Sequence, residues 1–295
     1  MSSWNFVFQN GWYIGNNFNA LLYAGVELVL YFQTVQTIMD GRRRREGHKF
    51  THSDKTFLCL CTFFLCMITI YVVTQNFFGE EMWIINEGYP GGSGQYFDDH
   101  ATVWYQVFGS TSWISLSLAS DAFLIYRTFI VWSGLRHVII VPCILYVGSL
   151  VMGIFTLIYS SKPGLQIIFS EASSHIALAY SSIGLALNIT CTALICARIL
   201  CVSHKLRRAL GPSRLLSRAL GADDAAAAGI GATAVIVESM LPYTCFGVAY
   251  VVTLGAGSPL SILFLSLYAM FNCLSPQMII LRVIAERGWR PERAS

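Results

Sequence analysis

Three carboxylates, Glu27, Asp121 and Glu238, stand inside runs of apolar residues where charge is rare. A charged side chain among lipid tails must be neutralised, paired or turned toward a wet cavity, so each is a candidate functional residue. Two such acids, Glu27 and Glu238, could do acid–base work on a lipid or terpenoid if burial set their proton affinities apart. Asp121 precedes Arg127 by six residues on one helix, a separation of about 9 Å at ~1.5 Å per residue. Arg127 could reach a carboxylate across a helix pair and close an Asp121, Arg127 and Glu238 network; two independent polar contacts are the alternative.

Two prolines add mechanics to this chemistry. Glu238 stands four residues before Pro242, and Asn272 four before Pro276. Proline cannot donate to the carbonyl four residues back and pushes it aside, so each pair sets a polar side chain at a broken helical bond. The result is either a static kink with its carbonyl capped by a neighbour or a hinge that lets the inner ends of two helices move. Trp104, Trp113 and Ser117, in the hydroxyl-rich stretch around residues 104–117, could line a ligand pocket with His175.

Other chemistries are excluded by what the sequence lacks. All four lysines (49, 55, 162, 205) fall outside the apolar runs, so no buried amine is present to carry a Schiff base. No HExxH, GxSxG or Walker pattern occurs, and neither a metal nor a cofactor is expected. The nine cysteines lie in or beside apolar runs, where they read as small packing residues rather than disulfide partners.

The elements that must position these residues are read from charge. Only 12% of the 295 residues are charged and 55% are apolar, too much apolar surface for a soluble chain. The charges delimit seven runs, at about 16–39, 56–78, 102–130, 138–160, 174–198, 229–254 and 260–281, each able to cross a bilayer. The expected fold is an all-α polytopic membrane protein, a seven-transmembrane helix bundle. The run holding Asp121 and Arg127 is expected as its central staff, with Gly109 and its serines serving internal packing or a dimer seam.

Eighteen of nineteen cations fall on one side of this arrangement, with only Lys162 opposite. Lysine and arginine resist translocation, so the amino terminus is expected outside and the carboxy terminus in the cytoplasm, most simply at the plasma membrane. The 2–3 connection, with five acids and no cation, reads as a Gly-rich flexible external lid. Residues 199–228 form a basic cytoplasmic loop, and 282–295 a short cytoplasmic tail. The loop's alternation of Arg and Leu between His204 and Leu220 fits an interfacial helix on anionic membrane lipid, or a surface for a cytoplasmic signalling partner. Nothing points to nucleic acid.

The stretch Asp121-Ala-Phe-Leu-Ile-Tyr-Arg127-Thr-Phe-Ile-Val-Trp132, with Glu238 and the Pro276-to-Arg282 segment, resembles a large family of seven-helix membrane proteins expanded in mushroom-forming basidiomycete fungi. The resemblance implies a receptor-like topology and brings no activity with it. The topology is also similar to that of G-protein-coupled receptors, but the sequence lacks a Glu/Asp-Arg-Tyr triplet ending the third run and an Asn-Pro-x-x-Tyr in the seventh. The leading expectation is a sensor of a small or lipophilic ligand with inner-end movement of helices three, six and seven. An intramembrane enzyme using Glu27 and Glu238 is second, and a transporter third.

Overall fold

The structure, a computed structural model, describes residues 3–44, 52–132, 135–161, 171–209 and 222–289. Among these, α1 (Ser3–Leu22) and α2 (Leu28–Arg44) form one rod joined through a π-helical turn, Tyr23–Glu27. The others are α3 (His52–Glu80), α4 (Gly92–His100), α5 (Trp104–Val131), α6 (Arg136–Ser161), α7 (Glu171–Ala209), α8 (Ala222–Gly255) and α9 (Ser261–Trp289). No strand occurs among the described residues. Counting α1–α2 once and setting α4 aside, seven rods are long and apolar enough to cross a membrane, so this is an all-helical integral membrane protein. The start of α1, the short α4 and the α8–α9 turn share one end of the bundle, here the α4 end.

Several helices outrun the apolar segments that define them. α7 continues to Ala209 and α8 begins at Ala222, so the stretch expected as a loop at 199–228 is helical on both flanks. Residues 210–221, most of its Arg and Leu alternation, lie outside the described residues. α9 runs through to Trp289, well into the expected tail.

Burial ranks the rods differently from the sequence. The apolar window of α9 is 72% buried, against 44% for α5 and 28% or less for the rest, so the seventh crossing is the staff of the bundle. α9 packs on α1, α2, α3, α5 and α8. α6 is peripheral and turns Ile140, Ile144, Val147, Val151 and Ile154 outward, as a lipid-facing helix does.

The Gly-rich 2–3 connection is largely a helix. Gly91 (φ 90°) and Gly92 (φ 81°) take the left-handed turn that opens α4, a conformation open to glycine at little cost. α4 then presses Phe97 into an aromatic cluster, with its ring 5.1 Å from Trp12 and 5.6 Å from Phe78. Tyr89 and Gln95 both donate to Asp99, at 2.9 and 3.1 Å, fastening the turn to the helix.

Gly109 serves internal packing: α5 meets α3 there so closely that a Cβ at this position would collide with Thr74 Oγ1. Gly109→Val is expected to destabilise the bundle by about 1–3 kcal/mol, the usual range for overpacking. Adding Thr74→Ala should recover part of that loss. Thermal unfolding of the single and double variants in detergent checks this, and equal loss in both would show that the close approach is not the cause.

Candidate functional site

Near the α4 end the helices part around a cavity of about 200 Å³. Its wall takes Trp12 from α1, Tyr71 and Gln75 from α3, Phe97 from α4, Gln106, Ser110 and Trp113 from α5, and Tyr250 and Leu254 from α8. α6, α7 and α9 contribute Thr156, Ile176 and Ser266 among others, so every crossing of the bundle touches it. Among the described residues that line it, none carries a charge. Gln75 Nε2 donates to Gln106 Oε1 at 3.3 Å, and its backbone carbonyl accepts from Asn16 Nδ2 at 3.3 Å, which ties α1, α3 and α5 together on this side.

From the cavity a chain of rings leads down the bundle. Trp113 and Tyr250, both on the wall, lie 6.5 and 5.9 Å from the ring of Tyr268 on α9. The Tyr268 hydroxyl is 2.8 Å from that of Tyr243 on α8, and the two rings are 4.9 Å apart. Tyr243 follows Pro242 directly. Gly247 makes room for this contact, since a Cβ there would stand 2.9 Å from both Tyr268 Cε2 and Leu185 Cδ1. One turn further, Ser275, the residue before Pro276, donates its hydroxyl to the Ser239 carbonyl at 2.9 Å. Both proline-bearing turns lie about 20 Å from the α8–α9 turn at ~1.5 Å per residue. The two kinks are therefore at one depth and bonded to each other.

Below the rings is a second polar compartment. Asp121 is 1% exposed, and neither carboxylate oxygen has a hydrogen-bond partner among the described residues. The Asn188 Oδ1, both ends of the Asn272 amide and the Ser149 hydroxyl are also buried without partners. Leu124, Leu187, Cys191, Met240 and Ile279 form an apolar cluster on the adjoining turns. Buried polar groups held at such cost are an ordinary mark of function.

Glu27 sits elsewhere, at the seam of the first rod with α9. It closes the π turn, in which the Leu28 N–H bonds to the Tyr23 carbonyl, and turns of this kind are frequent at functional sites. Its Oε1 accepts from Gln277 Nε2 and, at 3.3 Å, from Cys273 Sγ, and its charge acts on Cys61 of α3. The side chain is fully buried.

These positions sort the residues expected from sequence. Trp113 is on the cavity wall; Ser117 is buried one turn below it and does not line the cavity. Trp104 is 76% exposed, and His175 is exposed at the start of α7, beside Ile176 and Ala177, which do line it. Arg127 stacks its guanidinium over Phe123 of its own helix at 5.6 Å, and Glu238 is exposed. Asp121 has no hydrogen-bond partner among the described residues, so it is bonded to neither Arg127 nor Glu238 there, and Glu27 is buried whereas Glu238 is exposed. Pro242 and Pro276 are brought together, through Ser239 and Ser275 rather than through Glu238 and Asn272. Trp12, Gln75, Gln106, Tyr243, Tyr250 and Tyr268 were missed. Amides within apolar runs and the seven-residue spacing of Tyr243 and Tyr250, nearly one face of a helix, were the signals that could have found them.

Comparison of the chain with protein-family models, with curated proteins and with solved structures finds no match, so function is argued from the site.

Two outcomes follow from these contacts. Glu27→Ala strips the acceptor from Gln277 and Cys273 and should lower stability by about 2 kcal/mol or more, whereas Glu27→Gln keeps an acceptor and should lose less than half of that; thermal midpoints compare them. In α4, burial and the neighbouring Asp99 raise the Asp98 carboxyl from 3.8 to about 6. A raised acid favours the folded form below its unfolded value, and that support is lost as pH rises through the folded one. Amide exchange in residues 92–100 should therefore quicken between about pH 4 and pH 6 beyond its intrinsic pH dependence, and Asp98→Asn should abolish the excess.

Proposed function

We propose that this membrane protein is a receptor-like sensor: a small or lipophilic ligand fills the cavity at the α4 end and shifts the opposite ends of α5, α8 and α9. The observation that carries this reading is the continuity from wall to hinge, Trp113 and Tyr250 to Tyr268 to Tyr243, which adjoins Pro242. A ligand that presses on two of these rings changes the packing of a third, whose hydroxyl bonds to the hinge segment. Its leverage is its difference in affinity for the two arrangements, about 1.4 kcal/mol for each tenfold. The cation distribution supports placing the α4 end, with its cavity, toward the exterior of the plasma membrane and the hinged ends in the cytosol. There the helical extension of α7, on which Lys205 is exposed, is where a signalling partner or anionic lipid would meet the chain. The likeness to the basidiomycete family fits the same topology.

The test measures the far ends directly. With the exposed cysteines 59, 66, 143, 201 and 245 replaced, spin labels at the exposed positions 130 and 237 report the separation of α5 and α8. Tyr268→Phe, which removes the hydroxyl link, is expected to add a second distance population displaced by several ångströms. Pro242→Ala with Pro276→Ala should collapse the distribution to one narrow population. Identical distributions in all three proteins would remove the switching reading.

A further inference from the structure

Resting on the reading of this cavity as the ligand site, its wall also sets the chemistry of what fills it. Gln75 of α3 and Gln106 of α5 both line it, and each is 8% exposed. Two facing amides can exchange two hydrogen bonds, and this pair makes one, from Gln75 Nε2 to Gln106 Oε1 at 3.3 Å. Gln75 Oε1 and Gln106 Nε2 have no partner among the described residues. Neither atom is enclosed by protein, so the surface each keeps opens onto the cavity that both side chains line. The pair is also held in place. Asn16 Nδ2 donates to the Gln75 backbone carbonyl at 3.3 Å, and Gly109, three residues past Gln106, brings α5 hard against Thr74, the neighbour of Gln75. An acceptor and a donor are thus fixed side by side on one wall.

The remaining lining sets charge and size. One turn deeper on the same two helices, Tyr71 and Ser110 also line the cavity, so α3 and α5 form its polar side. Leu254, Ile262 and Leu265 give it apolar surface. With no Asp, Glu, Lys, Arg or His among the described residues that line it, an ionic ligand would lose its water against neutral walls. The volume of about 200 Å³ is below that of drug-sized sites and somewhat above the roughly 150 Å³ that holds a benzene ring.

We propose that the ligand is an uncharged molecule of about one ring that carries a carboxamide, or a like donor and acceptor side by side, laid across the Gln75 and Gln106 pair. Its N–H donates to Gln75 Oε1 and its carbonyl accepts from Gln106 Nε2, while the ring lies against the apolar and aromatic wall. Small neutral amides and lactams are of this class; hydrocarbons, fatty acids and amines are not.

Four probes of nearly one shape test this on the full chain in lipid nanodiscs: benzamide, acetophenone, α-methylstyrene and benzoate. Acetophenone has a methyl group in place of the amide NH2, α-methylstyrene also has a methylene in place of the carbonyl oxygen, and benzoate has a charged oxygen in place of the NH2. Affinities are read from the dependence of the thermal midpoint on probe concentration. Each probe partitions into lipid to its own degree, so the quantity compared is the preference over α-methylstyrene in the parent divided by the same preference in Gln75→Leu with Gln106→Leu. Partition cancels in that quotient. Replacing both amides by apolar side chains of similar size strands neither, so the variant is expected to fold and to bind α-methylstyrene. The quotient is expected to be about tenfold or more for benzamide and about threefold for acetophenone, which engages Gln106 alone. Benzoate should bind the parent most weakly of the four. If the benzamide quotient stays near one while α-methylstyrene binds both proteins, or if benzoate binds best, the amide pair does not select the ligand; this inference is then overturned while the cavity keeps its role. If none of the four binds the parent, the cavity holds water alone, and both this inference and the sensor reading fail.

Discussion

A helix that is polar on two opposite faces has no stable place against lipid, and α9 is such a helix. Ser266, Cys273 and Gln277 fall on one stripe, seven and then four residues apart, while Tyr268, Asn272 and Ser275 fall on the opposite one. Either stripe turned to hydrocarbon would strand side chains without partners. Enclosure by the first rod on one side and by α5 and α8 on the other is the arrangement that gives both stripes neighbours. The contacts follow from this: Cys273 and Gln277 meet Glu27, and Tyr268 and Ser275 meet Tyr243 and the Ser239 carbonyl.

That constraint also explains why sequence patterns pointed to the wrong staff. Asp121, Arg127 and a run of serines drew attention to α5, because charge inside an apolar run is the loudest signal a sequence gives. Charge counts single residues, whereas two-sided polarity is a property of a whole helix and rests on quieter residue types: Cys, Gln, Asn, Tyr. The number of crossings was readable, since it depends only on length and hydropathy. Depth was less so. Glu238 was placed deep in its helix by a run begun at Gly229, yet its side chain is exposed. Glu27 was legible as a buried group, yet its partners lie some 250 positions away on a chain whose packing the sequence does not reveal.

The cavity divides the bundle into compartments of different character. Above, the lining is aromatic with neutral amides and hydroxyls, and the exposed acids of the 2–3 connection stay outside it, because α4 covers the cavity with Phe97 and Ala101. Below, Asp121, Asn188 and Asn272 form a region that the chain leaves short of partners. Between them stand Tyr268, packed on the wall residues Trp113 and Tyr250, and Tyr243, bonded to it. Unsatisfied polar groups are the part of a core with most to gain from rearrangement, since a different packing can supply the bonds that the present one lacks. The tyrosine pair thus separates the cavity from a core that holds polar groups without partners among the described residues.

Magnitudes decide whether filling the first could disturb the second. The tie between the two proline-bearing turns is one Ser275 hydroxyl on one carbonyl, and side-chain hydrogen bonds between membrane helices contribute on average only ~0.6 kcal/mol and rarely above about 1.7. The tyrosine hydroxyl pair is of the same order. A ligand bound at micromolar concentration releases about 8 kcal/mol, so a differential affinity of a quarter of that exceeds either bond. Prolines lower the cost further by having removed a backbone bond at each kink already. The polar tie between the two proline-bearing turns is therefore small beside what a bound ligand can supply, and the resistance to movement there comes chiefly from the apolar packing of Met240, Tyr243, Leu274 and Ile279.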